Sequence, residues 1–554
     1  MKQKTIVAAA LGECVHIAGV INFLRLAELA GWKTIFLGPA VSIQSVIETA
    51  RKENAEMVGV SYRLTPETGE RLLGQFAEEA SDLHDSGVRF AFGGTPPVVE
   101  RAVRLSFFEK LFDGSESPDQ VLAYLKGQST DSKSEMDYPQ NVIDRIHLRN
   151  PFPILRHHFG LPTLEATLEG IQQIAEANVI DVISLGTDQD AQENFFHPEK
   201  QDPRRKGAGG VPVRSAEDFQ ALYQASRTGN YPIMRAYSGS DDFIEYAKLL
   251  TRTINNAWCA IPLFWFNQMD KRGPWDLQGS IAEHQKVMAW YGDKNIPVEL
   301  NEPHHWGMRD SSDVVFVAAA YLSAYNARKF GVKDYIAQMM FNCPPGTADA
   351  MDLAKMLALL EMIEPLTSHD AVKGEFRIWR QTRIGLLSHP VDLDAARGHL
   401  AASTYLQMSL KPHIYHIVGH TEANHAATAP DVIEASKIVR RAITDAQGAP
   451  NMALAPEVQA RKEFLIEETW TLLKAIQSMA RPGVIDPWCD PETLTRSVAL
   501  GLMDAPQLRN NQYGRGQVKT QIIKGACQEV DDDGKPISQK ERIAKILSKK
   551  GVRK

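Results

Sequence analysis

Short apolar runs alternate with amphipathic stretches from the first residues of this chain, and that alternation restricts its fold more than any other feature. Thr5–Ala10 is an apolar run of strand length, and a Gly-bounded loop at residues 12–19 leads into a helical pattern that continues to Ala30. Residues 34–37, 57–61 and 88–92 repeat the strand pattern, with helical periodicity over 42–54 and 67–86 between them. Strands separated by helix-length crossovers run parallel, and the helices cover both faces of the sheet. Such a sheet binds ligands outside the carboxyl ends of its strands. The unusual loops of this segment lie at those ends.

Residues 127–150 change character, with Ser, Asp, Lys and Gln in place of apolar periodicity. They read as a linker or as a structured crossing strap. A longer series begins at about Phe152, with strands expected at 179–185, 232–236, 260–266, 297–300, 334–339 and 414–418. Long amphipathic helices lie between them, including residues 313–329 and 347–361. Repeated strand–helix units on this scale predict a (β/α)8 barrel, with an open doubly wound sheet as the alternative. Beyond residue 448 the pattern turns helical over 457–479 and is then punctuated by Pro and Gly. The expected organisation is an α/β domain at 1–130, a linker at 131–150, a barrel at 151–447 and an α-rich extension at 448–554.

Composition narrows the function classes. The net charge of −7 over 554 residues argues against a general nucleic-acid binder, and the basic stretch 540–554 reads as a polar terminal helix. Five scattered cysteines without a Cys-x-x-Cys pair fit a reducing compartment. The first residues lack the apolar core of a signal peptide, and no apolar run is long enough for a membrane span. A cytoplasmic location is therefore expected. Neither a phosphate-binding loop nor a dinucleotide fingerprint is evident.

The loop after the first strand reads Gly12-Glu13-Cys14-Val15-His16-Ile17-Ala18-Gly19. Forty-one residues separate Gly19 from Ser61, in Ser61-Tyr62-Arg63-Leu64, and 29 separate Arg63 from Gly93-Gly94. This resembles the cobalamin-binding domain family, whose pattern is Asp-x-His-x-x-Gly, then Ser-x-Leu, then Gly-Gly at matching separations. The resemblance implies a flavodoxin-like (Rossmann-like) fold and a neutral imidazole, His16, as the lower ligand of cobalt. It places the displaced nucleotide tail among Gly19, Ser61, Leu64, Gly93 and Gly94. Glycines let backbone approach such a tail without a Cβ clash. Two positions depart from the pattern: Cys14 stands where the family has Asp, and Arg63 where it has Leu, with Leu64 following. The family's Asp orients the imidazole and raises its basicity. Here Cys14, or Glu13 through a shifted loop, is left to do so.

Three stretches of the second half resemble the catalytic (epsilon) subunit of glutamate mutase, an adenosylcobalamin-dependent (β/α)8 barrel. They are residues 280–303 continuing through 330–334 and 343–349, residues 400–438 around Gly419-His420-Thr421-Glu422-Ala423-Asn424, and residues 499–518. The resemblance implies a small-molecule carboxylate substrate, a homodimer and an adenosyl-ribose contact by Glu422, although the family's nearby lysine is Val418 here. Of three family arginines that grip the substrate, Arg235 is kept, while His158 and Gln192 fall where the others stood. Ala257, Leu263 and Asn267 replace further substrate contacts. A single anionic group held by Arg235 is therefore expected, and glutamate is not. Glu302, at the end of a strand, joins the substrate-binding candidates.

Of the remaining polar residues, His304-His305-Trp306 is a pocket candidate or a structural loop. His413, His416, His420 and His425 suggest a metal cluster, but positions 413 and 416 of a strand face opposite ways, which favours pocket histidines over zinc. The leading expectation is an adenosylcobalamin-dependent radical isomerase of mutase type. A methylcobalamin-dependent methyl or alkyl transferase is the first alternative, and a cobalamin carrier or sensor the second.

Overall fold

The computed structural model describes residues 3–116, 118–128, 134–367 and 375–548. It divides into two compact units, Met1–Lys133 and Ser134–Lys554.

The first unit holds a five-stranded parallel sheet of β1 (Thr5–Ala10), β2 (Lys33–Phe36), β3 (Met57–Tyr62), β4 (Arg89–Gly94) and β5 (Lys110–Phe112), in the order β2-β1-β3-β4-β5. That is the flavodoxin-like order, in which the chain reverses direction between β1 and β3 and leaves a crevice at their carboxyl ends. All six residues of β1 are buried, and Val58, Val60, Phe90 and Phe92 join the same core. Ser42 caps helix Ile43–Lys52 by accepting the Ser45 amide, which starts that helix where the sequence places it. The helix expected over 67–86 is instead two, Pro66–Glu79 and Ser81–Asp85.

The second unit is built on eight parallel strands: β6 (Ile154–Phe159), β7 (Val182–Leu185), β8 (Ile233–Ala236), β9 (Cys259–Ile261), β10 (Val298–Leu300), β11 (Asp334–Phe341), β12 (Arg377–Ile384) and β13 (Ile414–Ile417). The order β8-β7-β6-β13-β12-β11-β10-β9 wraps the sheet round on itself through the β13–β6 pair. At the remaining seam, between β8 and β9, single hydrogen bonds from the Ala257 amide to Met234 O and from the Ser238 amide to Ala260 O take the place of a ladder. The result is a nearly closed (β/α)8 barrel.

The barrel interior is apolar at its amino-terminal end. Ile154, Val182, Ile233, Trp258, Ile336, Trp379 and Ile414 form one buried layer, and Val142 and Ile146 close it from below. Those two belong to helix Val142–Arg149, capped by Asn141. This corrects part of the expected linker: residues 142–149 carry a helical apolar face that plugs the barrel. The strand expected over 260–266 is shorter, because the backbone beyond Ile261 turns into a buried loop. The extension after residue 448 is not a separate body. Leu465, Leu472, Ile476, Leu494 and Val498 share one core with barrel-helix residues such as Val317 and Leu359.

Candidate functional site

In the first unit the unusual loop leaves the carboxyl end of β1 at the β1/β3 switch point. Gly12 has φ +61°, and a Cβ there would stand 2.9 Å from Leu72 Cδ2, so only glycine suits the turn. The loop is pinned by hydrogen bonds from the Leu11 amide to Ser61 O, the Cys14 amide to Leu11 O and the Ala40 amide to Cys14 O. Cys14 is fully buried by this arrangement, while His16 is exposed. Cys14 Sγ lies 3.9 Å from His16 Nδ1, which leaves Nε2 as the ring nitrogen available to a ligand. The thiol is thus the side chain beside the His16 ring, and Glu13 is exposed.

Register brings the other parts of the pattern to the same edge, with Ala10 beside Ser61 and Ser61 beside Gly93. The Ser61 hydroxyl is buried without a hydrogen-bond partner. A Cβ on Gly93 or Gly19 would meet nothing within 4 Å, whereas one on Gly94 would lie 2.9 Å from Phe92 Cζ and from the Tyr62 carbonyl oxygen. Gly93 and Gly19 therefore border open ground, and Gly94 permits close packing. Leu64 is 41% exposed just past β3. An orphaned hydroxyl, an outward imidazole and an uncrowded glycine on one crevice suit the tail and lower ligand of a corrinoid.

In the barrel, the layer above the apolar pole is polar. Arg156 on β6 donates to Glu299 Oε2 on β10 (2.9 Å) and to Gln381 Oε1 on β12 (3.0 Å). Its other terminal nitrogen lies 3.2 Å from His158 Nε2 and 3.4 Å from His416 Nε2. Trp258 Nε1 also donates to Glu299 Oε2, at 2.7 Å. Arg235 on β8 approaches that oxygen only to 3.8 Å, and none of its guanidinium nitrogens has a hydrogen-bond partner although the side chain is fully buried. It lies over the rings of Tyr237 and Trp258. Arg383 on β12 is 3% exposed, and its field reaches Tyr237, Glu422 and Glu299.

Electrostatics follow from this layout. Burial works to raise the Glu299 carboxyl, but Arg156 and Arg235 outweigh it and hold it at about 2. Burial lowers Arg156 to about 9, still a cation at neutral pH. Burial, reinforced by the arginines, drives His158 and His416 well below their usual range, so both are neutral. Three guanidiniums then face one buried carboxylate, Glu299, with the exposed Glu422 acting on Arg383 as well. An excess of buried positive charge with unused donors is what an anionic ligand satisfies.

The other expected site residues divide. His158 stands beside Arg156 and accepts from the Tyr237 hydroxyl at 3.1 Å. It is a neutral acceptor there, so it does not replace a lost arginine as a cation. Gln192 turns its amide back to the Thr187 carbonyl. Glu302 is corrected: its carboxylate accepts from the Leu263 and Phe264 amides (2.6 and 2.9 Å) and from Trp306 Nε1 (2.6 Å), bracing the loop after β9 instead of facing substrate. Burial nevertheless pushes it up to about 7. Glu422 lies exposed in the turn after β13.

The histidines separate as strand geometry requires. His413 Nδ1 accepts the Arg380 amide at the amino-terminal pole, and His416 is in the polar layer. His420 and His425 lie beyond β13, near Glu434 and Asp431. His420, Asp431 and Glu434 bring ligand atoms within 4.8 Å of one another. Asp431, however, closes the capping box of helix Ala429–Asp445, and Glu434 is held by Arg397. His304 Nδ1 is 2.5 Å from Gln338 Oε1, and both ring nitrogens of the buried His305 are unpartnered.

Sequence reasoning missed Arg156, Glu299, Gln381 and Arg383. The signal was a period of two in polarity, with Arg156 and His158 on one face of β6 and Gln381 and Arg383 on one face of β12. Arg383 also supplies a second buried cation, so the loss of family arginines does not by itself require a single anionic group.

No family model and no curated protein matches the sequence. Among solved structures, a novel cobalamin-binding protein from Desulfitobacterium hafniense DCB-2 is 21% identical over 22% of this chain and 56% of its own, with a TM-score of 0.20. This chain thus spans little more than half of that protein. The cobalamin-dependent S-adenosylmethionine radical enzyme OxsB in its apo form is 10% identical over 87% of this chain and 69% of its own, at a TM-score of 0.18. The same enzyme with aqua-cobalamin and S-adenosylmethionine bound gives 11%, the same coverage and a TM-score of 0.19. No glutamate mutase subunit is among these three, and TM-scores this low carry no weight for the fold or activity of this chain.

Proposed function

We propose that this chain is a cobalamin-dependent enzyme: the first unit holds the corrinoid through His16, and the barrel isomerises a small carboxylate with adenosylcobalamin. The observation that carries the reading is the Cys14–His16 pair at the switch point, with Nε2 free and the Ser61 hydroxyl and Gly93 bordering the same crevice. When bound, adenosylcobalamin supplies a carbon-centred radical for hydrogen abstraction. The chain's own residues do the rest. Arg235 anchors the substrate carboxylate by charge-assisted hydrogen bonds, Arg383 adds a second positive group, and Glu422 orients the ribose of the cofactor's upper ligand. The apolar layer below the site keeps water out of the barrel floor.

Cob(II)alamin bound to ¹⁵N-histidine protein tests the first step. Nitrogen superhyperfine splitting in the EPR spectrum should change on labelling and lose that sensitivity in His16→Ala. Cys14→Asp should tighten cobalamin binding, because a carboxylate orients and polarises an imidazole better than a thiol. Splitting indifferent to the label would overturn the assignment of His16.

A corrinoid-dependent methyl or alkyl transferase is the second reading, favoured by the buried, apolar Val418 where a mutase-like barrel would carry a lysine. Methyl transfer from methylcobalamin, with no organic radical on adding substrate to the adenosyl form, would select it.

A further inference from the structure

The barrel has a hollow at the pole away from the polar layer. A cavity of about 750 Å³ opens at the amino-terminal ends of β6, β12 and β13. That volume lies within the roughly 300–1,000 Å³ range of small-molecule sites. Its cationic and imidazole lining comes from Arg380, Lys411, His147 and His413, with the rings of Trp379 and Tyr405 beside them; no Asp or Glu among the described residues lines it, and Glu364 acts on Arg380 from outside the cavity. In a chain with a net charge of −7, a cavity free of carboxylates runs against the average composition.

The donors are set by local structure. Arg380 Nε is buried without a hydrogen-bond partner. His413 Nδ1 accepts the Arg380 amide at 3.0 Å, so the neutral ring carries its proton on Nε2 and offers it as a donor. Lys411 sits at φ +47°, in the left-handed region that non-glycine residues seldom occupy. Trp379 is held by its Nε1 donating to Asp334, so its indole forms a fixed wall.

We infer that this cavity binds a phosphate-bearing ligand with a planar ring, of nucleoside monophosphate size, with Arg380 and Lys411 on the phosphate and Trp379 and Tyr405 against the ring. The site is independent of the corrinoid reading, since its donors Arg380, Lys411 and His413 belong neither to the Cys14–His16 crevice nor to the layer of Arg156, Arg235 and Glu299.

Titration of the full-length protein with AMP, inorganic phosphate and adenosine, followed by calorimetry at low and moderate salt, tests it. AMP should bind most tightly, phosphate more weakly, and raising the salt should weaken both, as expected for phosphate held by surface-accessible cations. R380Q/K411Q should weaken AMP at least tenfold while leaving the circular dichroism spectrum and melting temperature unchanged. Y405A, at an exposed position, should weaken AMP and leave phosphate unaffected. Failure of AMP to bind at millimolar concentration, or binding unaffected by R380Q/K411Q, would overturn the proposal. Adenosine binding as tightly as AMP would overturn the phosphate assignment.

Discussion

Two adjacent glycines at the end of β4 illustrate how differently one residue type is used. Both complete the spaced pattern, but a Cβ on Gly93 meets nothing within 4 Å while one on Gly94 meets the Phe92 ring and the Tyr62 carbonyl at 2.9 Å. Gly94→Ala should therefore destabilise the first unit by about 1–3 kcal/mol through overpacking. Gly93→Ala should leave stability unchanged and weaken cobalamin binding at least tenfold. Thermal unfolding of the cobalamin-free variants, paired with spectrophotometric titration, separates the two. Equal stability losses for both would remove the argument that Gly93 borders a ligand. The placement of these residues and of His16 at strand ends was legible from sequence because their spacing follows the strand–helix alternation. Which group supports His16 was not, since loop register decides whether a thiol or a neighbouring glutamate faces the ring.

At the level of elements, six of the eight barrel strands were legible, and the two missed, β6 and β12, are the ones whose inward faces carry Arg156, His158, Gln381 and Arg383. Apolar content signals a strand only when the strand's surroundings are apolar. The inside of this barrel is not, and the residues that hid the strands are those that build the site. Helix Val142–Arg149 was hidden by the opposite circumstance, a short apolar face within a polar segment. The charge layout makes Glu299 the keystone of the layer, being the carboxylate that Arg156, Arg235 and Trp258 share. Removing one partner of a buried ionic group leaves the others uncompensated, at a cost of about 3–5 kcal/mol. Glu299→Gln should lower barrel stability by that order, read as a shift in urea midpoint at unchanged slope. A variant as stable as the parent would mean that the guanidiniums are balanced by something else.

For the whole molecule, the buried imidazoles set a dependence on pH that is testable without knowing the substrate. Burial lowers His157 and His284 to about 4 and His304 to about 3, and drives His158, His305 and His416 well below the ordinary value of 6.5. Each has a folded-state pKa below its unfolded one, so the unfolded chain binds the extra proton. The stability they allow is fully present above about pH 6.5 and is lost as pH falls toward the folded values. Glu299, held at about 2, adds the same sign in a lower window, from about 4.5 downward. One pH unit below 6.5, an imidazole forced to stay neutral costs on the order of 1 kcal/mol. Several such groups acting together are a sizeable burden against the roughly 5–15 kcal/mol stability of an ordinary domain. Eight of the nine tryptophans lie in the second unit, so indole fluorescence follows that unit in particular. Urea unfolding monitored this way should show a barrel transition that is nearly constant between pH 8 and 7 and moves steeply to lower urea between pH 6.5 and 5.5. A transition that stays put until the carboxylates titrate near pH 4.5 would show that these histidines take up protons in the folded barrel, and the neutral imidazoles assigned to the cationic layer would have to be redrawn.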